Sequence, residues 1–304
     1  MSESLLTLGV SLYSYTGEYG VTMTLDDCIE DVADLGATGL EILAEAHVEN
    51  YPDPPAGWVD AWVARLERFR LTPTCLGSWV DTRRFPGRAM TVDEAVEQLE
   101  KDLRLAALLG FRYLRPKLGV VTSDLEPDPV WIPATERVLD LAAEKDVIIC
   151  PEIHWPSTIK SRVVDDYIAF IERTGTRHFG LLIDTGVFQS AMHHRSGGIP
   201  MRLGDGEARP PVTPTVPVAD LEGVLDHVVH VQAKFYEIDD DLVDRHIPWA
   251  EFLQVLVERK WKGCLSSEYE GDYGVGRAAD QLRRQHALLR QLIGSRATRP
   301  GEDL

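Results

Sequence analysis

The chain has 304 residues, 44% hydrophobic and 26% charged, which suits two domains or one large α/β barrel with a filled core. Its formal net charge of −18 argues against a polyanionic partner, because affinity for nucleic acid comes largely from neutralising phosphates with a basic face. No stretch approaches about 18 uninterrupted apolar residues, so no membrane span is expected, and the opening MSESLLTLGVSLYSYT lacks the features of a signal peptide. Cys28, Cys75, Cys150 and Cys264 are far apart and form no CxxC pair. They are expected to be buried free thiols in a cytoplasmic protein.

Short runs rich in β-branched and aromatic residues alternate with amphipathic stretches along the whole chain. The first strand is expected over Leu8–Tyr15. A helix follows in TLDDCIEDVADLGA, with Thr24 as N-cap, acids in its first turn and Gly36 closing it. The second strand spans Gly39–Glu45 and its helix Gly57–Phe69. TPTCLGSWV forms the third strand, and the third helix runs over Val92–Leu109 between Thr91 and Gly110. FRYLRPKLG is the fourth strand, followed by a helix over Ile132–Lys145. VIICPEIHW is the fifth, with a helix over Val163–Arg173. FGLLIDTGVF, VVHVQAKFYEI and GCLSSEYEG are the last three strands, with helices over Trp249–Lys260 and Val275–Ile293.

Strand–helix units repeated without a hairpin imply parallel strands throughout. The expected fold is one (β/α)8 barrel over residues 1–294, with the doubly wound open sheet as its rival. A Gly/Pro-rich insertion over about 190–218 interrupts the rhythm on the carboxyl side of strand six, and such connections are lids, partner contacts or disordered. The tail 295–304 is expected to be disordered.

In such a barrel, polar residues at the carboxyl ends of strands converge near the axis. These are Glu152 and His154 on strand five, Asp184 on strand six, His230, Gln232 and Lys234 on strand seven, and Glu268 on strand eight. Converging carboxylates repel one another unless a cation joins them, and an oxygen-rich set suits a hard divalent ion. Each residue has a plainer reading. Asp184 can cap a turn through its own side chain, Glu268 competes with Glu270, and Gln232 can be satisfied by its neighbours.

PEIHW, IDTG, HVQAKF and SSEYEG, in order on strands five to eight, resemble the metal site of the xylose-isomerase-like barrel superfamily. That group includes sugar isomerases and epimerases, inosose-processing enzymes and endonuclease IV. The resemblance implies Glu152, Asp184, Gln232 and Glu268 as ligands of one divalent ion, manganese first, with magnesium, cobalt or zinc as alternatives. Two departures stand out. Val187 or Phe188 occupies the place of a second His after the Asp, and strand seven reads His230-Val231-Gln232-Ala233-Lys234 where H-x-H-x-K is usual.

GVSLYSYTGEY, the turn at Glu49–Pro52, EIHWPS and HVQAKFYEI further resemble the larger subunit of C-glycoside deglycosylating enzymes. Those enzymes cleave the carbon–carbon bond between a 3-keto sugar and an aromatic aglycone and work with a small β-rich partner subunit. The resemblance implies a lyase in which a base removes the proton next to the sugar carbonyl; His154, which shares a strand face with Glu152, is the first choice, with the orienting of a carboxylate as its alternative role. Lys234 binds the enolate oxygen, and Arg115 or Lys117 holds the substrate. Tyr13, Trp79, Trp155 and His230 complete the substrate-binding set, the aromatic residues being equally compatible with plain packing.

In the alternative, a ketose epimerase or isomerase, Glu152 and Glu268 act as paired bases. The partners implied are a sugar or glycoside, the small subunit and other copies in an oligomer, with no nucleic acid or membrane. A nuclease of the endonuclease IV kind needs more His ligands than these strand ends offer. A non-catalytic scaffold remains the rival outside enzymology.

Overall fold

A computed structural model describes residues 6–78, 85, 87–118, 126–155, 157–189 and 216–297. The strands are β1 (Leu6–Ser11), β2 (Gly39–Leu43), β3 (Thr72–Ser78), β4 (Tyr113–Pro116), β5 (Ile148–Ile149), β6 (Glu152–Ile153), β7 (Leu181–Asp184), β8 (Val228–Phe235) and β9 (Gly263–Tyr269). All pair in parallel, in the order β5-β4-β3-β2-β1-β9-β8-β7-β6. The two end strands, β5 and β6, are halves of one short segment, so the sheet closes on itself as a barrel. Pro151 divides that segment because it has no N–H for the ladder, and the continuous fifth strand expected over VIICPEIHW is corrected to two pieces.

The helices are α1 (Leu25–Asp34), α2 (Ala44–His47), α3 (Ala56–Phe69), α4 (Val92–Leu109), α5 (Trp131–Lys145), α6 (Arg162–Thr174), α7 (Trp249–Glu258) and α8 (Arg277–Ala297). Thr24 and Thr91 start α1 and α4 with reciprocal capping boxes to Asp27 and Glu94. Gly110 ends α4 at φ 82°, a left-handed position that costs glycine little.

Trp62 of α3 is fully buried and donates its Nε1 to Leu109 O at 3.0 Å, tying α3 to α4. Trp131 of α5 packs against Tyr167 and Phe170 of α6 and against Phe179 ahead of β7. Buried side chains of this size contribute about 1.5–3 kcal/mol each, which fixes the helical ring on the sheet. At the amino end of the barrel, β1 and β2 approach closely: a Cβ on Gly9 would lie 3.1 Å from the Gly39 Cα and 2.9 Å from the Cys264 Sγ. All four cysteines are buried and free, and no helix among the described residues is long and apolar enough to cross a membrane.

Three boundaries differ from expectation. The first strand stops at Ser11 and becomes a 3-10 turn over Leu12–Tyr15, although β2 and β9 beside it continue to Leu43 and Tyr269. The segment after strand six ends in two further 3-10 turns, Val218–Gly223 and Leu225–His227, ahead of β8. The last helix reaches Ala297, past the expected start of a disordered tail at 295. Most of the 190–218 insertion and residues 298–304 lie outside the described residues.

Candidate metal centre

Strands β6 to β9 deliver their side chains to one point because parallel register alternates inward and outward positions. Asp184 pairs with Gln232 across β7 and β8, and Lys234 pairs with Glu268 across β8 and β9. Glu152, Asp184 and Glu268 offer carboxylate oxygens that all lie within 4.8 Å of one another. The expected convergence of these three carboxylates is therefore present in the folded chain.

Each member has its own polar contacts, and Lys234 is shared between Asp184 and Glu268. The Arg115 Nη1 donates to Glu152 Oε2 at 2.7 Å. Asp184 accepts from the Gly186 N–H through Oδ1 at 2.7 Å, and its Oδ2 contacts the Lys234 Nζ at 2.5 Å. The turn-capping and charge-binding readings of Asp184 thus coexist, one on each oxygen. Lys234 also reaches Glu268 at 3.6 Å and Glu270 at 3.3 Å. The Gln232 Nε2 donates to Glu268 Oε1 at 3.1 Å and to Glu41 Oε1 at 2.8 Å, while the Gln232 Oε1 is buried with no hydrogen-bond partner among the described residues.

Glu41 is the residue that the strand-end reading missed. It sits fully buried in GLEIL of β2, in contact with Gln232, with Arg115 at 3.5 Å and with the His230 Nε2 at 3.3 Å. Its signal was available, since a lone carboxylate in an apolar parallel strand must find donors. Cys75 and His230 approach it closely enough to suggest a second metal set. That set is already filled by donors, because Gln232, Arg115 and His230 all turn toward Glu41. Burial also pushes the Cys75 thiol well up, against ionisation. Gly77 leaves room for this layer, since a Cβ there would fall 2.8 Å from the Arg115 Nη2.

The ionic contacts of the linked carboxylates leave them short of positive charge. Five carboxylates, Glu41, Glu152, Asp184, Glu268 and Glu270, are in ionic contact with two cations, Arg115 and Lys234, among the described residues. Burial raises Glu152, yet Arg115, His154, Lys234 and Lys117 outweigh it and hold its carboxyl well below the usual range. Asp184 is pushed up by burial and by the Glu152 charge, against the pull of Lys234. Glu268 is pushed up further by burial, with Glu270 and Glu152 adding to it. Two of three adjacent carboxylates are therefore costly to ionise without an additional cation. The unpartnered oxygen of Gln232 and this charge deficit both fit a hard divalent ion held by Glu152, Asp184, Glu268 and Gln232.

The remaining expected residues take different positions. His154 is half-buried and close enough to Glu152 and Asp184 to affect both. Tyr13 is half-buried near Glu270, Glu268 and Lys234, and burial and those acids raise its hydroxyl well above its ordinary range. Lys117 and Trp155 are half-buried at the carboxyl ends of their strands. Arg115 is 5% exposed and His230 is 0% exposed. The His230 ring packs on Tyr113 at 5.3 Å between centroids. Trp79 lies outside the described residues.

A family model described as "Xylose isomerase-like TIM barrel" matches residues 29–292. The chain belongs to that family. Within it, the 3'-dehydrocarminate deglycosidase alpha subunit of a Microbacterium species is 26% identical, over 94% of this chain and 95% of its own. The C-glycoside deglycosidase alpha subunit of Arthrobacter globiformis is also 26% identical, over 96% of this chain and 95% of its own. Among solved structures, D-allulose 3-epimerase from a Methylomonas species superposes with a TM-score of 0.66 at 16% identity, over 94% of this chain and 98% of that one. The 3-keto-D-glucoside 4-epimerase of E. coli does so with a TM-score of 0.59 at 14% identity, over 94% and 99%. These structural likenesses show a shared barrel fold.

Proposed function

We propose that this chain is a divalent-metal-dependent lyase that cleaves the carbon–carbon bond of 3-keto C-glycosides. The observation that carries the reading is the buried trio Glu152, Asp184 and Glu268, an oxygen cluster deficient in positive charge at the mouth of the barrel. Similarity along nearly the whole chain to two deglycosidase alpha subunits supports the choice of substrate. Their designation as alpha subunits supports a partner subunit.

Glu152, Asp184, Glu268 and Gln232 would hold a divalent ion, manganese in the first instance, which would supply Lewis-acid charge to the sugar. His154 takes the C2 proton of the 3-keto sugar, leaving the electron pair in the enolate. As the C1–aryl bond breaks, that pair becomes the C1=C2 double bond and the departing aryl carbon takes up a proton. Lys234 binds the enolate oxygen, and Lys117, Trp155 and Tyr13 line the entrance where the sugar and flat aglycone lie. Arg115 and His230 fix Glu152 and Glu41 beside the substrate. Buried donors of this kind keep charged groups aimed without reorganisation during the reaction.

The second reading is a keto-sugar epimerase, favoured by the placement of Glu152 and Glu268 in one cluster, where each is available to one face of a sugar. The deciding assay strips the protein with a chelator, restores manganese and offers a 3-keto C-glucoside or free ketoses, with and without a candidate partner subunit. Manganese-dependent aglycone release that disappears in Glu152→Ala is expected. Turnover of free ketoses alone transfers the chain to the epimerase reading, and indifference to manganese contradicts both.

A further inference from the structure

Lys234 is placed unusually for a residue beside a metal centre: its ammonium lies against the acids that a divalent ion needs. Its Nζ is 2.5 Å from Asp184 Oδ2 and 3.6 Å from Glu268 Oε2, two of the three carboxylates in the cluster. The third contact, Glu270 at 3.3 Å, belongs to no part of that cluster, and its side chain is 29% exposed against 1% for Asp184. The backbone of Lys234 is fixed, since its carbonyl accepts from the Thr185 hydroxyl at 2.8 Å. The side chain runs past Gly186, where a Cβ would lie 3.2 Å from the Lys234 Cδ and 3.0 Å from Asp184 Oδ1. A lysine stem with four rotatable carbons can thus swing its charged end between two acids while its root stays in place.

We infer that Lys234 is a tethered cation that partly compensates the carboxylate cluster when no metal is bound and withdraws to Glu270 when a divalent ion binds. The inference rests on the metal reading proposed above and assigns Glu270 a positioning role. Two like charges on the same carboxylates repel strongly in a buried site, so the ammonium and the ion cannot share Asp184. Glu270 supplies the nearest acid outside the cluster. The exchange keeps the cluster partly compensated without metal and leaves the ammonium beside the loaded site, where a substrate oxygen would meet it.

The test is a manganese titration of chelator-stripped protein, with free ion followed by electron paramagnetic resonance. It compares wild type, Lys234→Met, Glu270→Gln and the double variant. Lys234→Met is expected to bind manganese at least tenfold more tightly, because the competing charge is gone. Glu270→Gln is expected to bind it several-fold more weakly, because the ammonium has no acid to withdraw to. In the Lys234→Met background that weakening shrinks to less than twofold. Melting curves give a second readout: without metal Lys234→Met melts below wild type, and manganese raises its melting temperature by more.

Equal or weaker binding by Lys234→Met overturns the inference, as does an undiminished Glu270→Gln effect in the double variant. Should Lys234→Met not fold without metal, Glu270→Gln, which leaves the Asp184 contact intact, decides the matter by weakening or not weakening binding. Absence of manganese binding in all four proteins refutes the metal reading itself, an outcome distinct from failure of the exchange.

Discussion

The Gln232 amide donates to Glu268 at 3.1 Å and to Glu41 at 2.8 Å, joining the carboxylate cluster to a further buried acid on β2. Its own oxygen has no partner among the described residues, and an unsatisfied buried acceptor costs about 1–3 kcal/mol. Gln232→His is expected to keep manganese affinity within about tenfold, since imidazole is also a ligand for such ions. Gln232→Leu is expected to weaken it by about 10–100-fold, the range for losing a supporting interaction at a metal site. Isothermal titration of both variants measures the difference, and equal affinities would remove Gln232 from the site.

Arg115 spans Glu152 and Glu41 with the two ends of one guanidinium, at 2.7 and 3.5 Å. Arg115→Met strands a buried charge and is expected to lower stability by about 3–5 kcal/mol. Arg115→Lys should recover less than half of that, because a single ammonium cannot span both acids as a planar fork does. Urea denaturation of metal-free protein reads both numbers. A full rescue by lysine would show that charge alone, and not the bridge, is required.

Asp102 of α4 is fully buried and accepts from the Tyr51 hydroxyl at 2.6 Å and the Ser78 hydroxyl at 2.5 Å. Burial pushes its carboxyl from 3.8 up to about 6. The folded state therefore holds this proton more tightly than the unfolded state. Its contribution to stability is complete below about pH 4 and is lost as pH rises through about 6, worth up to about 3 kcal/mol. Asp102→Asn stays neutral throughout, so wild type should match it near pH 4 and fall below it by pH 7. Denaturation midpoints across that range check the sign, and a constant difference would refute it.

Much of this architecture was legible in the residues. The boundaries of α4 coincide with the Thr91 cap and Gly110, since capping chemistry is local and survives any tertiary context. HVQAKF reads directly because inward positions recur every second residue, which places His230, Gln232 and Lys234 on one face of β8. The depth of each along the axis was not legible. Register against β7 and β9 determines whether a residue faces substrate or lies under it, and that depends on pairings far away in sequence. Glu41 was missed because attention to strand ends passed over a carboxylate in mid-strand. Glu268 and Glu270 separate where β9 ends at Tyr269, with Glu268 in the trio and Glu270 on Lys234.

A divalent ion that binds the folded chain alone must stabilise it, by about 2.7 kcal/mol when its concentration is 100 times the dissociation constant. Manganese is therefore expected to raise the melting temperature of stripped wild type. Glu268→Gln, which keeps the shape of the side chain and removes its charge, should lose most of that increase. A shift of equal size in both proteins would place the ion elsewhere.

The most direct measurement is the stoichiometry of manganese bound to chelator-stripped protein, taken for wild type and for Glu152→Ala and Asp184→Ala. The account predicts one ion per chain in wild type and loss of that ion in both variants, with the fold retained by circular dichroism. Undiminished binding in the variants, or no binding by a folded wild-type chain, would contradict the assignment of Glu152, Asp184 and Glu268 as the metal centre.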